Sequence, residues 1–252
     1  MDTEERRRGI LDTARRDGVV GVNALADRFK VAKETVRRDL HVLEEHGLVR
    51  RTHGGACPVE SAGFETTLAV RTTRNVPQKS RIAAAADLLG DAETVFVDEG
   101  FTPQLVAEAL PQDRPLTVVT ASLPVATSLA GVENTSVLLL GGRVRGSTMA
   151  TVDHWASRML AGFVIDLAYL GANGISREYG LTTPDPAVAE VKAQALRSSR
   201  RRVFVGIHSK FGAVSFCRFA GVADFEAIVT DAGLPSAEAQ RYSLLGPQVI
   251  RV

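Results

Sequence analysis

The chain has only two cysteines in 252 residues, Cys57 and Cys217. They stand far apart and in no metal-type spacing, so two incidental thiols are expected rather than a structural zinc site. Long apolar runs are also missing. None reaches the ~18 residues that a bilayer span needs, and the start, MDTEERRR, does not read as a secretory signal. A cytoplasmic protein with no membrane partner is expected. An excess of one charge is missing too, with 30 Lys+Arg against 29 Asp+Glu. Residues 1–56 hold 12 basic against 10 acidic side chains and the remainder 18 against 19. Net charge therefore supports no class of partner, and placement has to carry that argument.

What is present begins with the ten residues VAKETVRRDL, 31–40. Val36, Leu40 and Leu43 fall at i, i+4 and i+7, the inward stripe of a short helix. Glu34, Arg37, Arg38 and His41 lie broadly opposite. A basic pair alone reads most simply as a solvated face, so its neighbours decide. Upstream, residues 4–16 read as a helix stopped by Gly18. Residues 19–22 read as an extended link and 23–29 as a second helix, with a turn at 30–32. Downstream, the arginine helix ends at Gly47, residues 48–52 read as a strand, and His53-Gly54-Gly55 turns the chain. Helix, helix, turn, helix and basic hairpin make a winged helix-turn-helix. Its third helix would present Lys33, Glu34, Thr35, Arg37, Arg38 and His41 to the major groove of double-stranded DNA. Arg50, Arg51 and His53 would lie near the backbone or minor groove.

Residues 57–78 are rich in Thr, Ser, Gly and Pro and read as a linker, with a short helix near 65–72. From residue 79 onward short apolar runs alternate with helical patterns. Strands are expected at 94–98, 116–120, 137–140, 167–171, 203–206 and 227–230, with a possible edge strand at 248–252. Helices are expected at 81–89, 103–109, 123–130, 154–161 and 187–199. This alternation implies an α/β domain over 79–252 with a mostly parallel sheet covered on both faces. Such sheets bind ligands beyond the carboxyl ends of their strands. Asp98, Gly100, Phe101, Thr102, Thr120, Gly141, Gly142, Gly171 and Lys210 stand there and form the candidate effector site. Trp155 and Met159, at i and i+4, are expected to pack a helix on the sheet, and Arg200-Arg201-Arg202 to be a solvated helix end.

Residues 25–29 (LADRF), 31–40, Leu43, Gly47 and 51–56 (RTHGGA) resemble the N-terminal signature of the DeoR family of bacterial transcriptional repressors. The family usually has serine where this chain has Ala32. The remainder resembles that family's effector domain, which is similar in fold to ribose-5-phosphate isomerase and glucosamine-6-phosphate deaminase. Its landmarks here are Lys79, Asp98-x-Gly100, Thr120, 140–142 (LGG), 171–174 (GANG), 180–182 (GLT), Lys192, 209–212 (SKFG) and 229–231 (VTD). The resemblance implies a repressor of carbohydrate-metabolism genes, relieved by a phosphorylated sugar or related metabolite. It also implies a homodimer or homotetramer without a cofactor and without enzymatic activity. Phe101, Ala121, Asp153 and Ile207 depart from the family pattern, which usually has a hydroxyl residue, asparagine, glycine and aspartate there. Four departures read as one rim suggest an altered ligand. Two alternatives stay open. One is a sugar-phosphate isomerase or deaminase using Asp98, Glu99, His208 or Asp231 for proton transfer. The other is a constitutive repressor with a non-sensing C-terminal domain.

Overall fold

The computed structural model describes residues 2–52, 54–59 and 64–252. They form two compact units, Met1–Thr66 and Thr67–Val252.

In the first unit, Asp2 caps α1 (Thr3–Asp17) by accepting from the Thr3 N–H. Gly18, at φ 77°, closes the helix with its N–H on the Ala14 carbonyl. A two-residue strand β1 (Val20–Gly21) leads into α2 (Val22–Phe29), which ends on Lys30 in the left-handed region. Next come α3 (Lys33–Glu45), β2 (Val49–Thr52) and β3 (Gly55–Pro58). Strand β3 lies at the centre of a three-stranded antiparallel sheet, between β1 and β2. Ile10, Leu25, Val36, Leu40, Leu43 and Val49 meet in one small core. Each contributes on the order of 1.5–3 kcal/mol by leaving water, and three of them fix the inward side of α3.

The second unit opens with α4 (Leu68–Arg71) and α5 (Val76–Ile82), which runs on into a 3-10 turn over Ala83–Leu89. Then β4 (Thr94–Val97), α6 (Phe101–Glu108), β5 (Leu116–Thr120), α7 (Leu123–Leu129) and β6 (Thr135–Leu139) alternate. A hairpin, β7 (Arg143–Arg145) with β8 (Ala150–Val152), precedes α8 (His154–Leu160) and β9 (Ile165–Leu170). A second hairpin, β10 (Gly174–Ser176) with β11 (Gly180–Thr183), precedes α9 (Pro186–Ser198) and β12 (Ser199–Val205). The chain finishes with β13 (Cys217–Ala220), β14 (Ala227–Thr230), α10 (Ser236–Ser243) and β15 (Gln248–Arg251). Seven strands make one parallel sheet in the order β15-β14-β12-β9-β4-β5-β6, while β13 joins the second hairpin. Val95, Val97, Leu167 and Val203 point to one apolar layer, and Phe96, Ala168, Leu170 and Phe204 to the other. Burial on both faces is why these strands read as unbroken apolar runs.

Three expectations are corrected. Residues 57–78 are not one linker: β3 closes the first sheet through Pro58, and buried Leu68 anchors α4. The run Arg200–Arg202 is not a solvated helix end but lies inside β12. Arg201 reaches Glu226 at 2.8 Å and the Leu88 and Leu89 carbonyls, and Arg202 the Leu196 and Ser199 carbonyls. Lastly, Trp155 and Met159 do not pack on the sheet; they are 58% and 40% exposed.

Candidate DNA interface and effector crevice

The stripe that buries α3 leaves the rest of the helix outside. Lys33, Glu34, Arg37, Arg38 and His41 are exposed and Thr35 is half-buried. Arg37 pairs with Glu34 at 3.2 Å one turn back, and His41 faces Glu45 at 3.5 Å. Both contacts are exposed, so they cost little to exchange for phosphate. Ala32 sits at the cap position with extended backbone and supplies no side-chain acceptor. Arg50 and Arg51 are exposed on β2, in register with Cys57 and Ala56, and the Arg51 N–H donates to Glu44. His53 lies outside the described residues. Sequence reasoning missed what holds α3. Asp39, 2% exposed, accepts from Arg6 at 2.6 and 3.3 Å and from Arg7 at 3.1 Å. This buried carboxylate ties α3 to α1 and leaves the neighbouring Arg37 and Arg38 outward. The signal was there: Asp39 precedes Leu40 on the inward arc, where a charge needs partners.

In the second unit the strand order turns back between β4 and β9. Strands β5 and β6 build outward on one side of β4, while β9, β12, β14 and β15 build on the other. In folds of this kind a ligand crevice is expected at the carboxyl edge beside such a reversal, next to the loops after β4 and β9. Asp98 directly follows β4 and Gly171 directly follows β9. The Asp98 carboxylate accepts from the Gly171 N–H and the Glu99 N–H, each at 2.8 Å. It also pairs with Lys192 of α9, whose ammonium lies 3.5 Å from Glu99 and 3.4 Å from the Gly171 carbonyl. All three charged side chains are buried. Gly100, at φ 111° and ψ 163°, then swings the chain into α6, a turn that a side chain resists. Thr102 is buried in the first turn of that helix, and Phe101 is half-buried beside it.

Lys79 of α5 faces this loop. Its ammonium lies 5.4 Å from the centre of the Phe101 ring and donates to the Arg71 carbonyl at 2.6 Å. Burial pushes its pKa down to about 8, helped by the positive charges of Lys210, Arg71 and Arg74.

Other predicted site residues are placed differently. The Thr120 hydroxyl is fully buried, donating to the Val97 carbonyl at 2.7 Å and accepting from the Ser122 N–H at 3.0 Å. It shapes the loop instead of facing a ligand. Gly141 and Gly142 are exposed; the Gly141 N–H points at the Met159 sulfur, and Gly142, at φ 132°, has no room for a Cβ beside the Val152 carbonyl. The four family departures do not share one rim. Ile207 and Ala121 are buried in the cores on opposite faces of the sheet. Asp153 caps α8 with a positive φ of 86°. Only Phe101 stands at the crevice. His208 and Asp231 meet at 2.7 Å, with the His208 and Gly233 N–H groups also on the Asp231 carboxylate. Burial resists that charge, but these hydrogen bonds outweigh it and hold the carboxyl below its usual range.

Residues 6–62 match the DeoR-like helix-turn-helix domain and residues 74–232 the DeoR C terminal sensor domain. The chain belongs to the DeoR family of transcriptional regulators. It is 34% identical to the HTH-type transcriptional regulator GlpR of Haloferax volcanii, over 98% of this chain and 96% of that protein. To the Glycerol-3-phosphate regulon repressor of Escherichia coli K12 it is 31% identical, over 95% of each. Among solved structures it is similar to ribose 5-phosphate isomerase A from Methanocaldococcus jannaschii, with 15% identity, a TM-score of 0.39, and 54% and 55% of the two chains covered. As a DeoR-family member the chain is a DNA-binding transcriptional regulator with an α/β sensor domain. No helix among its described residues is long and apolar enough to cross a membrane.

Proposed function

We propose that this chain is a cytoplasmic repressor. Residues 1–56 read operator DNA and residues 79–252 sense a small phosphorylated metabolite in the β4/β9 crevice. The observation that carries the ligand class is Lys79: a buried ammonium beside Lys210, Arg71 and Arg74 gains most from an anion that neutralises the group. Gly100, Phe101, Thr102 and Gly171 line the same end, while Asp98, Glu99 and Lys192 form its rigid floor. The names of similar regulators, one of them a Glycerol-3-phosphate regulon repressor, favour a sugar or polyol phosphate. Asp98 and Glu99 are engaged by Lys192, and Asp231 by His208 and Gly233. Asp98 and Glu99 are therefore already committed to a buried ammonium, which favours sensing over catalysis at the end of β4.

The ligand acts by linkage. It lowers operator affinity only as far as it prefers the conformation that binds DNA poorly. The test is a panel of sugar and polyol phosphates with their unphosphorylated counterparts, read by thermal shift and by release from operator DNA. A phosphorylated member at 100 times its Kd should stabilise the second unit by about 2.7 kcal/mol and weaken DNA binding. No shift with any phosphate, or equal shifts with the unphosphorylated forms, refutes the reading.

A further inference from the structure

His208 and Asp231 take no part in the crevice. They come from neighbouring parallel strands, His208 two residues beyond β12 and Asp231 directly after β14. The Asp231 side chain is 2% exposed and that of His208 40%. The His208 and Gly233 N–H groups hold the carboxylate ionised. An ionised carboxylate can only accept, so the hydrogen of the 2.7 Å contact sits on Nδ1 of the imidazole. Nε2 of the neutral ring is then an acceptor, on the edge away from Asp231. Gly233 closes over the other edge, where a Cβ would lie 2.4 Å from Nδ1 and 2.7 Å from the Asp231 carboxylate.

The imidazole lines an open cavity of about 440 Å³, within the range of small-molecule sites. Phe211, Leu234, Pro235 and Ala237 give it apolar walls. The Phe211 ring is held edge-on against Tyr242, with ring centres 4.9 Å apart. The charges around the cavity are paired. Glu238 meets Arg241 at 3.0 Å and Arg177 at 3.5 Å. Two carboxylates, Asp231 and Glu238, thus stand against two guanidiniums, and the fixed charges cancel. An anion would meet Glu238 and a cation Arg241, whereas an uncharged molecule avoids both repulsions. One acceptor edge among apolar walls calls for one hydroxyl on an otherwise apolar ligand.

We infer that this cavity is a second ligand site, for a small uncharged molecule that is apolar but for one hydroxyl, which it donates to Nε2 of His208. The site also has a route to the crevice. His208 opens a 3-10 turn that ends on Lys210, whose N–H donates to the Ile207 carbonyl at 3.0 Å. The charge of Lys210 in turn acts on Lys79. A ligand that fixes the imidazole fixes this turn, so filling the cavity changes the affinity of the crevice for an anion, and the reverse holds equally. The coupling rests on the effector reading proposed above; the cavity does not.

The experiment follows the imidazole nitrogens of the full chain, labelled with 15N in histidine, by magnetic resonance. The His208 signal is assigned by its loss in His208→Gln. Four probes share one ring: benzyl alcohol, benzoate, benzylammonium and toluene. Benzyl alcohol should move the His208 signal saturably, and the other three should bind at least tenfold more weakly. Ala237→Trp fills the cavity from an exposed helix position, so it should abolish the response while leaving the His208 signal of the free protein in place. No response to benzyl alcohol overturns the inference. So does an equal response to benzoate, or one that survives Ala237→Trp. Coupling is read as the affinity for inorganic phosphate, assigned to the crevice by its loss in Lys79→Met. Saturating benzyl alcohol should change that affinity at least fivefold, and an unchanged affinity overturns the coupling. A chain that binds benzyl alcohol but no phosphate refutes the effector reading and leaves the cavity standing; the opposite result refutes the cavity alone.

Discussion

Asp153 stands where the family usually has glycine, and the backbone explains why glycine is preferred. Its φ of 86° and ψ of −172° lie in a region that is essentially glycine's. Holding a side chain there costs on the order of 1–3 kcal/mol. Asp153→Gly relieves that strain but widens the unfolded ensemble, a loss of roughly 0.4–1 kcal/mol. The carboxylate also accepts from the Trp155 N–H at 3.2 Å, and exchanging such a cap for glycine costs a few tenths. The nearby His154 ring, 3.9 Å away and mostly exposed, adds nothing that matters. The net expectation is a gain of about 1 kcal/mol. Asp153→Ala keeps the strain and removes the cap, so it should lose about 1 kcal/mol. For a unit of this size 1 kcal/mol moves Tm by about 2–4 °C, so the two variants should separate by about 4–8 °C. Thermal melts followed by circular dichroism decide the matter. If the alanine variant melts at or above the glycine variant, the strain argument at Asp153 is wrong.

On the DNA side, Arg37→Ala and Arg38→Ala should each weaken operator binding by about tenfold to a hundredfold, the range for one good base contact. An arginine that only neutralises a phosphate should instead lower the salt slope by about one and weaken all sequences alike; unchanged gel-shift affinity in both variants would sink the reading of α3. Ala32→Ser should stabilise the first unit by about 1 kcal/mol, because extended backbone at that position aims a hydroxyl at the open N–H groups of α3; a melt that does not rise refutes this. The third expectation concerns pH. With the folded pKa of Lys79 at about 8, below its unfolded value of 10.5, the unfolded chain binds the extra proton between those values. Stability should therefore rise with pH across that window, while affinity for a phosphorylated effector should fall by about tenfold per pH unit above 8. Lys79→Met should remove both dependences, and persistence of either in the titration excludes Lys79 as their source.

The parallel strands were legible because burial on both faces forces continuous apolar runs, and β5 and β14 begin and end where their runs do. Helix α3 was legible because Val36, Leu40 and Leu43 keep helical spacing while Arg37 and Arg38 do not join the stripe. The hairpin β7–β8 was not, since three residues such as Arg143-Val144-Arg145 are too few to show a period. The arginines at 200–202 misled because strand residues at a sheet's amino edge can send long side chains to carbonyls and carboxylates outside it, as Arg201 does with Leu88, Leu89 and Glu226. Lys192 was visible as a landmark, but its task was not. It follows Val188 by one turn on a buried stripe of α9, and a lysine there demands a buried carboxylate. That partner, Asp98, is 94 residues away in sequence, and only the strand order brings the two together.

That strand order also changes what the departures from the family mean for the ligand. Counted along the sequence, Phe101, Ala121, Asp153 and Ile207 look like a site rebuilt at four points. In space, Ile207 and Ala121 complete apolar cores, and Asp153 is a matter of backbone strain at α8. One change remains at the crevice. Phe101 removes a hydroxyl donor from the loop after β4, but its ring lies under the Lys79 ammonium at 5.4 Å. A cation over an aromatic face gains on the order of 0.5–2 kcal/mol, more as it is desolvated, and Lys79 is buried. The ring therefore helps hold a charged lysine in a place where burial and three neighbouring cations resist it. On the effector reading proposed above, an anion entering there would find one donor fewer on the loop and one cation better fixed opposite it. Under that proposal the site is retuned at one residue and keeps its preference for negative charge.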